Sequence, residues 1–223
     1  MAHSKAQKQI ALAVDAVMFT VEKRELKVLL IQMKKKPYAG QWAFPGGRLD
    51  ADEMTERAAR RILLEQTGLK DVFLEQLATF DDLNRDSLGR VVSVAYYALI
   101  PSQDVHLKTS TRYSDVRWWP VHHLPKLAYD HDQIAKVALR RLQAKLEYTN
   151  IAWSVLPPEF TLTELQQVYE TILDRQLDKW NFRKKIESLD LLTASGKKRA
   201  GESHRPAQLY RFKQRKPAFI NLF

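Results

Sequence analysis

There is no cysteine in this 223-residue chain, which excludes a disulfide framework, a catalytic thiol and zinc-thiolate sites together. No apolar run approaches the ~18 residues that a membrane-spanning helix needs, and Met1-Ala2-His3-Ser4-Lys5 leads into no secretory signal. A soluble, cytoplasmic protein with no membrane partner is therefore expected. Acidic residues are also in deficit: 26 Asp and Glu face 36 Lys and Arg, a formal net charge of +10. That balance points to a polyanionic partner and says nothing about fold. At roughly 100–200 residues per domain, one or two domains are expected.

What the chain does have is one densely patterned stretch, from Gly46 to Leu69. Gly47, Glu53, Arg61, Leu63, Glu65, Gly68 and Leu69 fall in step with the Nudix box, Gly-x5-Glu-x7-Arg-Glu-U-x-Glu-Glu-x-Gly-U with U aliphatic, and the stretch resembles it. Two positions depart from that pattern. Ile62 stands where the motif has the Glu after its Arg, and Gln66 where it has the second Glu of the pair. Residues 62, 65 and 66 share one helix face by their i, i+3, i+4 spacing. In the hydrolases this face presents carboxylates to magnesium or manganese, hard ions that demand anionic oxygen. Ile62 offers no ligand and Gln66 a neutral oxygen, so only Glu65 is left, with Glu53 as an outlying helper. A Nudix fold without a working metal site is expected. Ile62 has two readings, core packing or a cover over a former ligand position.

Around the box, Ile10 to Thr20 and Leu26 to Met33 read as buried strands joined by the charged turn Val21 to Glu25. Trp42-Ala43-Phe44-Pro45 is strand-like. A helix is expected from Asp52, ending at Gly68. Val72 to Phe80, Val91 to Ile100 and Val116 to Trp119 read as further strands, with the acidic loop Asp81 to Arg90 taken as solvated. Asp130-His131-Asp132-Gln133 opens a helix with Ile134, Val137, Ala138, Leu142 and Leu146 on one face. Strands and two helices so placed fit an α/β/α sandwich over residues 10–150, after a flexible leader at 1–9.

Beyond Pro157-Pro158 the pattern changes. Thr163 is the expected N-cap of a helix whose apolar stripe is Leu165, Val168, Tyr169 and Ile172. A second helix follows from Asp178 to Leu189, burying Phe182, Ile186 and Leu189 and leaving Lys179, Asn181, Arg183 and Lys184 outside. With Thr193 to Pro206 as a basic loop and Ala207 to Phe212 as a strand, residues 151–223 have the layout of a winged helix-turn-helix. Residues 178–216 hold twelve Lys or Arg against four Asp or Glu. Such clustering is the electrostatic footprint of duplex binding, with phosphate contacts for affinity and base contacts for sequence. Arg suits guanine and Asn suits adenine in the major groove.

A degenerate Nudix domain joined to a winged helix resembles the NrtR family, the Nudix-related transcriptional regulators of NAD metabolism. The likeness rests on the altered box and on Phe160-Thr161-Leu162-Thr163-Glu164-Leu165-Gln166-Gln167-Val168-Tyr169-Glu170, Asn181-Phe182-Arg183-Lys184-Lys185-Ile186 and Arg205-Pro206-Ala207-Gln208-Leu209-Tyr210-Arg211-Phe212. It implies a homodimeric bacterial repressor of NAD biosynthesis or salvage genes that binds double-stranded operator DNA and is released by ADP-ribose as effector, with no required cofactor, no metal and no catalytic residue. Expected ligand contacts are Arg48, Arg61, Glu65, Trp42 and Tyr38. Arg61 pairing only with Glu65, and Trp42 packing in the core, are open alternatives. Expected DNA contacts are Thr163, Lys179, Asn181, Arg183, Lys184, Lys197, Lys198, Arg199 and Arg205. Two other functions stay open on the residues alone: an active Nudix hydrolase cleaving ADP-ribose or a related nucleoside diphosphate, and an RNA-binding Nudix protein.

Overall fold

The computed structural model describes residues 9–70, 72–101, 113–199 and 206–220. They divide into two compact units: the described residues of 1–19, 28–98 and 105–138 form one, and those of 20–27, 99–104 and 139–223 the other.

A seven-stranded sheet organises the first part of the chain. Strands β1 (Ala11–Glu22), β2 (Glu25–Met33), β3 (Trp42–Ala43), β4 (Gly46–Arg48), β5 (Glu75–Phe80), β6 (Val91–Leu99) and β7 (Tyr113–Pro120) take part. The order runs β3, β2, β1, β6, β5, with β4 added on β1 and β7 on β2. Val14 to Thr20 of β1 and Val28 to Ile31 of β2 are unbroken buried runs, as expected of strands covered on both faces. Their connection is tighter than the five-residue turn expected. Lys23 and Arg24 alone turn the chain, both at positive φ (52° and 62°), the pairing that matches strand twist in a two-residue hairpin.

Helix α1 (Thr55–Thr67) starts three residues later than expected. Asp52 and Glu53 stay outside it, because the Glu53 carboxylate accepts the Asp50 amide at 3.0 Å and holds the entry loop instead. Gly68 ends it at φ 79°, its N–H bonding the Leu64 carbonyl, the left-handed cap for which glycine is favoured. The strand expected from Val72 begins only at Glu75, and the short one at Val116 extends from Tyr113 to Pro120. Helix α2 (His131–Tyr148) buries Ile134, Ala138, Leu142 and Leu146, while Val137 is exposed.

In the second unit, α3 (Leu162–Leu173) and α4 (Lys179–Ser188) are followed by the antiparallel hairpin β8 (Leu192–Arg199) and β9 (Ala207–Phe212). Part of the expected basic loop is thus strand. Phe160 extends the hairpin by exchanging backbone bonds of 3.0 and 2.8 Å with Tyr210. The four expected α3 positions are buried, as are Phe182 and Ile186 of α4; Leu189, the C-cap residue, is half-buried. Thr163 is not the N-cap. Thr161 is, in a capping box: its hydroxyl accepts the Glu164 amide at 3.1 Å and Glu164 accepts the Thr161 amide at 2.7 Å. Two Thr residues two apart both suit a cap, and Glu164 selects Thr161 because a capping box needs the acid three residues on. The tail folds back within this unit: the Asn150 side chain bonds the backbone at Lys216 and Ala218, and Arg215 donates to the carbonyls of Trp153, Leu156 and Pro157.

Candidate functional site

The altered box positions do not share one environment. Ile62 is 2% exposed and lies under Gly47, where a Cβ would meet its Cδ1 at 3.3 Å. Gln66 is clasped to one peptide group, its Oε1 accepting the Gly46 amide at 3.1 Å and its Nε2 donating to the Gly46 carbonyl at 2.8 Å. Glu65, a quarter turn round the helix from Gln66, is exposed. Ile62 is therefore core packing, and Gln66 is a brace between α1 and β4. A glutamate at 66 could not do this, because an ionised carboxylate only accepts.

Arg61 is held from several sides. It grips Glu53 through Nε and Nη2, lies 3.3 Å from Asp50 and 3.7 Å from Glu65, and donates to the Arg48 carbonyl at 3.3 Å. These hydrogen bonds, led by that to Glu53, raise the Arg61 pKa and lower that of Glu53. The expected partner Glu65 is the weakest of the three carboxylates. A divalent cation does not fit this donor set. Ile62 has no oxygen, the Gln66 oxygen is used, Glu53 and Glu65 both lie against Arg61, and among the described residues no group of three or more His, Cys, Asp or Glu could hold the ion.

Beside this helix start two cavities share Arg48, Asp86, Leu88 and Val91 on their walls. The larger, about 570 Å³, runs along Ile10 to Leu12, Arg48 to Glu53 and Arg90. The smaller, about 220 Å³, is walled by Phe44, Gly46, Tyr113, Tyr129 and His131, with Asp15 and Arg85 among its lining. Together they are large enough to hold part of a nucleotide, with aromatic walls and a few convergent polar groups.

A buried ion cluster supports the smaller cavity. Arg85 bonds both Asp130 oxygens at 3.0 and 2.8 Å and Asp15 at 3.1 Å. Asp15 also accepts the Ser93 hydroxyl at 2.6 Å, and His131 Nε2 stands 3.5 Å from it. The Phe44 amide donates to His131 Nδ1 at 2.9 Å, which turns the Nε2 edge of the ring toward Asp15. Burial alone would raise the Asp15 pKa, but the contacts with His131, Ser93 and Arg85 outweigh it and hold the carboxyl at about 2. Burial, with Asp86 nearby, pushes the Tyr129 hydroxyl up to about 12. Gly46 belongs to the same assembly: a Cβ there would stand 2.2 Å from Asp15 Oδ1. Asp15, Arg85, Asp130 and His131 escaped the sequence reading. An Asp inside a buried strand and a His beginning a buried helix were signals that buried charge was paired there.

Of the expected ligand residues, Arg48 alone reaches both cavities. Tyr38 sits at their edge through its neighbours, its ring 4.2 Å from that of Tyr129 and its hydroxyl 3.2 Å from Ser87. Trp42 lines neither cavity. It is 7% exposed, edge-on to Trp119 at 5.2 Å and capped by Arg117, and it belongs to the core.

In the second unit, Asp178 caps α4 by accepting the Asn181 amide at 2.8 Å. Lys179, Asn181 and Lys184 are exposed as expected, but Arg183 is half-buried with a buried Nε that has no partner among the described residues. On the hairpin, Lys197 and Arg211 pair with Glu159 and Arg199 pairs with Glu164, all at exposed positions, and Lys198 is exposed. Arg205 lies outside the described residues.

Comparison with known proteins bears on both units. A model of the NUDIX domain matches residues 10–142, and a model of the NrtR DNA-binding winged helix domain matches residues 152–212. The chain is 39% identical over 206 residues to the ADPR responsive transcriptional repressor NtrR of Acinetobacter baylyi, covering 90% of this chain and 81% of that protein. It belongs to the NrtR family. The NrtR of Shewanella oneidensis in complex with a 27mer DNA is 40% identical, with a TM-score of 0.78 over 91% of this chain and 93% of that one. The Nudix domain of the same NrtR, in complex with ADP ribose, matches 63% of this chain and 94% of that one at a TM-score of 0.56 and 40% identity. The expected fold, a Nudix domain followed by a winged helix, is that of the NrtR family.

Proposed function

We propose that this chain is a DNA-binding transcriptional repressor of NAD biosynthesis or salvage genes, released from operator DNA when ADP-ribose occupies a Nudix domain that does not cut it. The observation that carries the second half is the use made of the altered box: Ile62 is packed, Gln66 is saturated by Gly46 and Glu53 by Arg61. A pocket of this kind keeps the shape of a nucleotide site without the charge needed to activate a diphosphate toward water. The relatives named above, one responsive to ADPR and others seen with DNA and with ADP ribose, support the same reading.

In this reading residues 10–150 sense the ligand in the paired cavities, where Arg48 faces the diphosphate and Phe44 and Tyr129 wall the small cavity. Residues 151–223 read DNA through Lys179, Asn181 and Lys184 on α4 and through Lys197, Lys198 and Arg199 on the hairpin. The working form is a cytoplasmic homodimer. ADP-ribose releases DNA by binding better to the dimer geometry whose reading heads do not match successive major grooves, since a ligand shifts states only by its differential affinity. The test is a gel-shift titration of the purified protein with promoter DNA of NAD genes, with and without ADP-ribose, alongside chromatography of ADP-ribose held with protein and Mg2+. A specific shift lost on adding ADP-ribose, with the nucleotide intact, is expected. No specific shift, or turnover at ordinary enzyme rates, overturns the proposal.

A further inference from the structure

We infer that Trp180 reads sequence, by seating its indole against the methyl group of a thymine in the major groove. The inference rests on α4 being the DNA-reading helix and adds to it the residue and the chemical group recognised.

Trp180 is the second residue of α4 and 66% exposed. Phe182 and Ile186 fix the inward direction of this helix. At 100° per residue, positions two away from each lie about 200° round. By that rotation Lys184 lies opposite the buried stripe and Trp180 about 140° from it, on the outward half of the helix with Asn181, Glu187 and Ser188. Lys184 Nζ stands 4.9 Å from the Trp180 ring centroid, an i, i+4 cation–π contact that steadies both groups. The helix carries four basic residues against one acidic one.

An exposed indole is costly in water, and on so basic a face a duplex is the partner that also suits the charge. Lysines on either side are drawn to phosphates, and residues in the first turn of a reading helix are those that meet base edges. The major groove displays donors and acceptors at every base pair and one apolar group, the thymine C5-methyl. The apolar face of a tryptophan at this place therefore has the thymine methyl as its complement among the base edges.

The test begins from a pool of randomised duplexes from which the full-length protein selects its preferred sequence, since the operator need not be assumed. The selected duplex is then made with deoxyuridine in place of each thymine in turn, a change that removes the methyl and nothing else. Loss of binding by about fourfold at one or two thymines per half-site is expected for wild type, the size of burying one methyl group. Trp180→Ala should bind less tightly and show no loss on the same replacements, while Trp180→Phe keeps part of the sensitivity. An unchanged far-ultraviolet circular dichroism spectrum and thermal transition in both variants check that the reading unit is folded. Equal binding of thymine and uracil duplexes by wild type, or the same methyl sensitivity in Trp180→Ala, overturns the inference while leaving the DNA-binding function intact. A pool that yields no enriched sequence refutes that function and the inference with it.

Discussion

The two helices that carry this protein's chemistry treat their charges in opposite ways. Around α1 every functional charge is answered within a few ångströms: Arg61 by Glu53, Asp50 and Glu65, and Arg60 by Glu56 and the Val72 carbonyl. On α4, Lys179 and Lys184 are exposed, and Lys184 lies over the Trp180 ring. The hairpin stands between these extremes, with Lys197, Arg199 and Arg211 in exposed pairs with Glu159 and Glu164. Exposed pairs are worth only ~0–1 kcal/mol and exchange easily for phosphate. Charges that are answered internally build a shape, and charges left open await a polyanion.

The strongest way to break that contrast is to remove an answered charge from the interior. Arg85→Leu leaves Asp15 and Asp130 buried without their partner, and should destabilise the N-terminal unit by about 3–5 kcal/mol. Urea unfolding followed by tryptophan fluorescence would register it as an early separate transition. Stability close to wild type would mean that the cluster carries no weight.

Gln66→Glu should cost about 1–3 kcal/mol, because the Gly46 carbonyl then faces an acceptor in place of its donor. Thermal unfolding at several pH values sharpens this, since protonation restores a donor and should recover part of the loss in acid. The variant is expected to gain no hydrolysis, with Ile62 still in place.

Acid titration of the wild type probes the same interior. The Asp15 carboxyl is held at about 2 from an ordinary 3.8. A depressed carboxyl stabilises above its unfolded-state value, and the contribution, about 2 kcal/mol, is lost as pH falls from about 4 through about 2. Asp15→Asn should flatten that part of the stability profile.

On the open side, Lys184→Ala should lower the slope of log affinity against log salt by about 0.9, the share of one phosphate contact. Arg61→Ala should leave that slope unchanged. The smallest effect expected is local: Thr161→Ala costs about 1 kcal/mol through loss of the cap, whereas Thr163→Ala stays within about 0.5 kcal/mol.

The first unit was legible where patterns are local. Seven box positions in step, two continuous apolar strands and a glycine stop gave the helix and its surroundings. The candidate cleft was less so. Arg85 looked like a member of a solvated loop and Asp130 like the opening of a helix, because nothing within a few residues of either reveals that they meet 45 residues apart in sequence. Trp42 was offered to a ligand because its neighbours in sequence are those of a cleft, but its strand turns it toward Trp119. On α4, apolar spacing placed Phe182 and Ile186 correctly. Arg183, expected outside, is half-buried because it lies next to the buried stripe.

The sequence by itself determined that the chain joins a Nudix-like domain to a winged helix, that the box lacks two of its acids, and that basic charge gathers near the C-terminus, since composition, periodicity and motif spacing are all properties of neighbours along the chain. Only the tertiary structure decided what fills the two altered positions, which carboxylates Arg85 and Arg61 hold, and that Trp180 with Lys184 faces outward while Trp42 is buried and Arg183 half-buried. Those outcomes depend on groups from distant segments competing for the same few ångströms, where a buried charge or polar atom must find a partner.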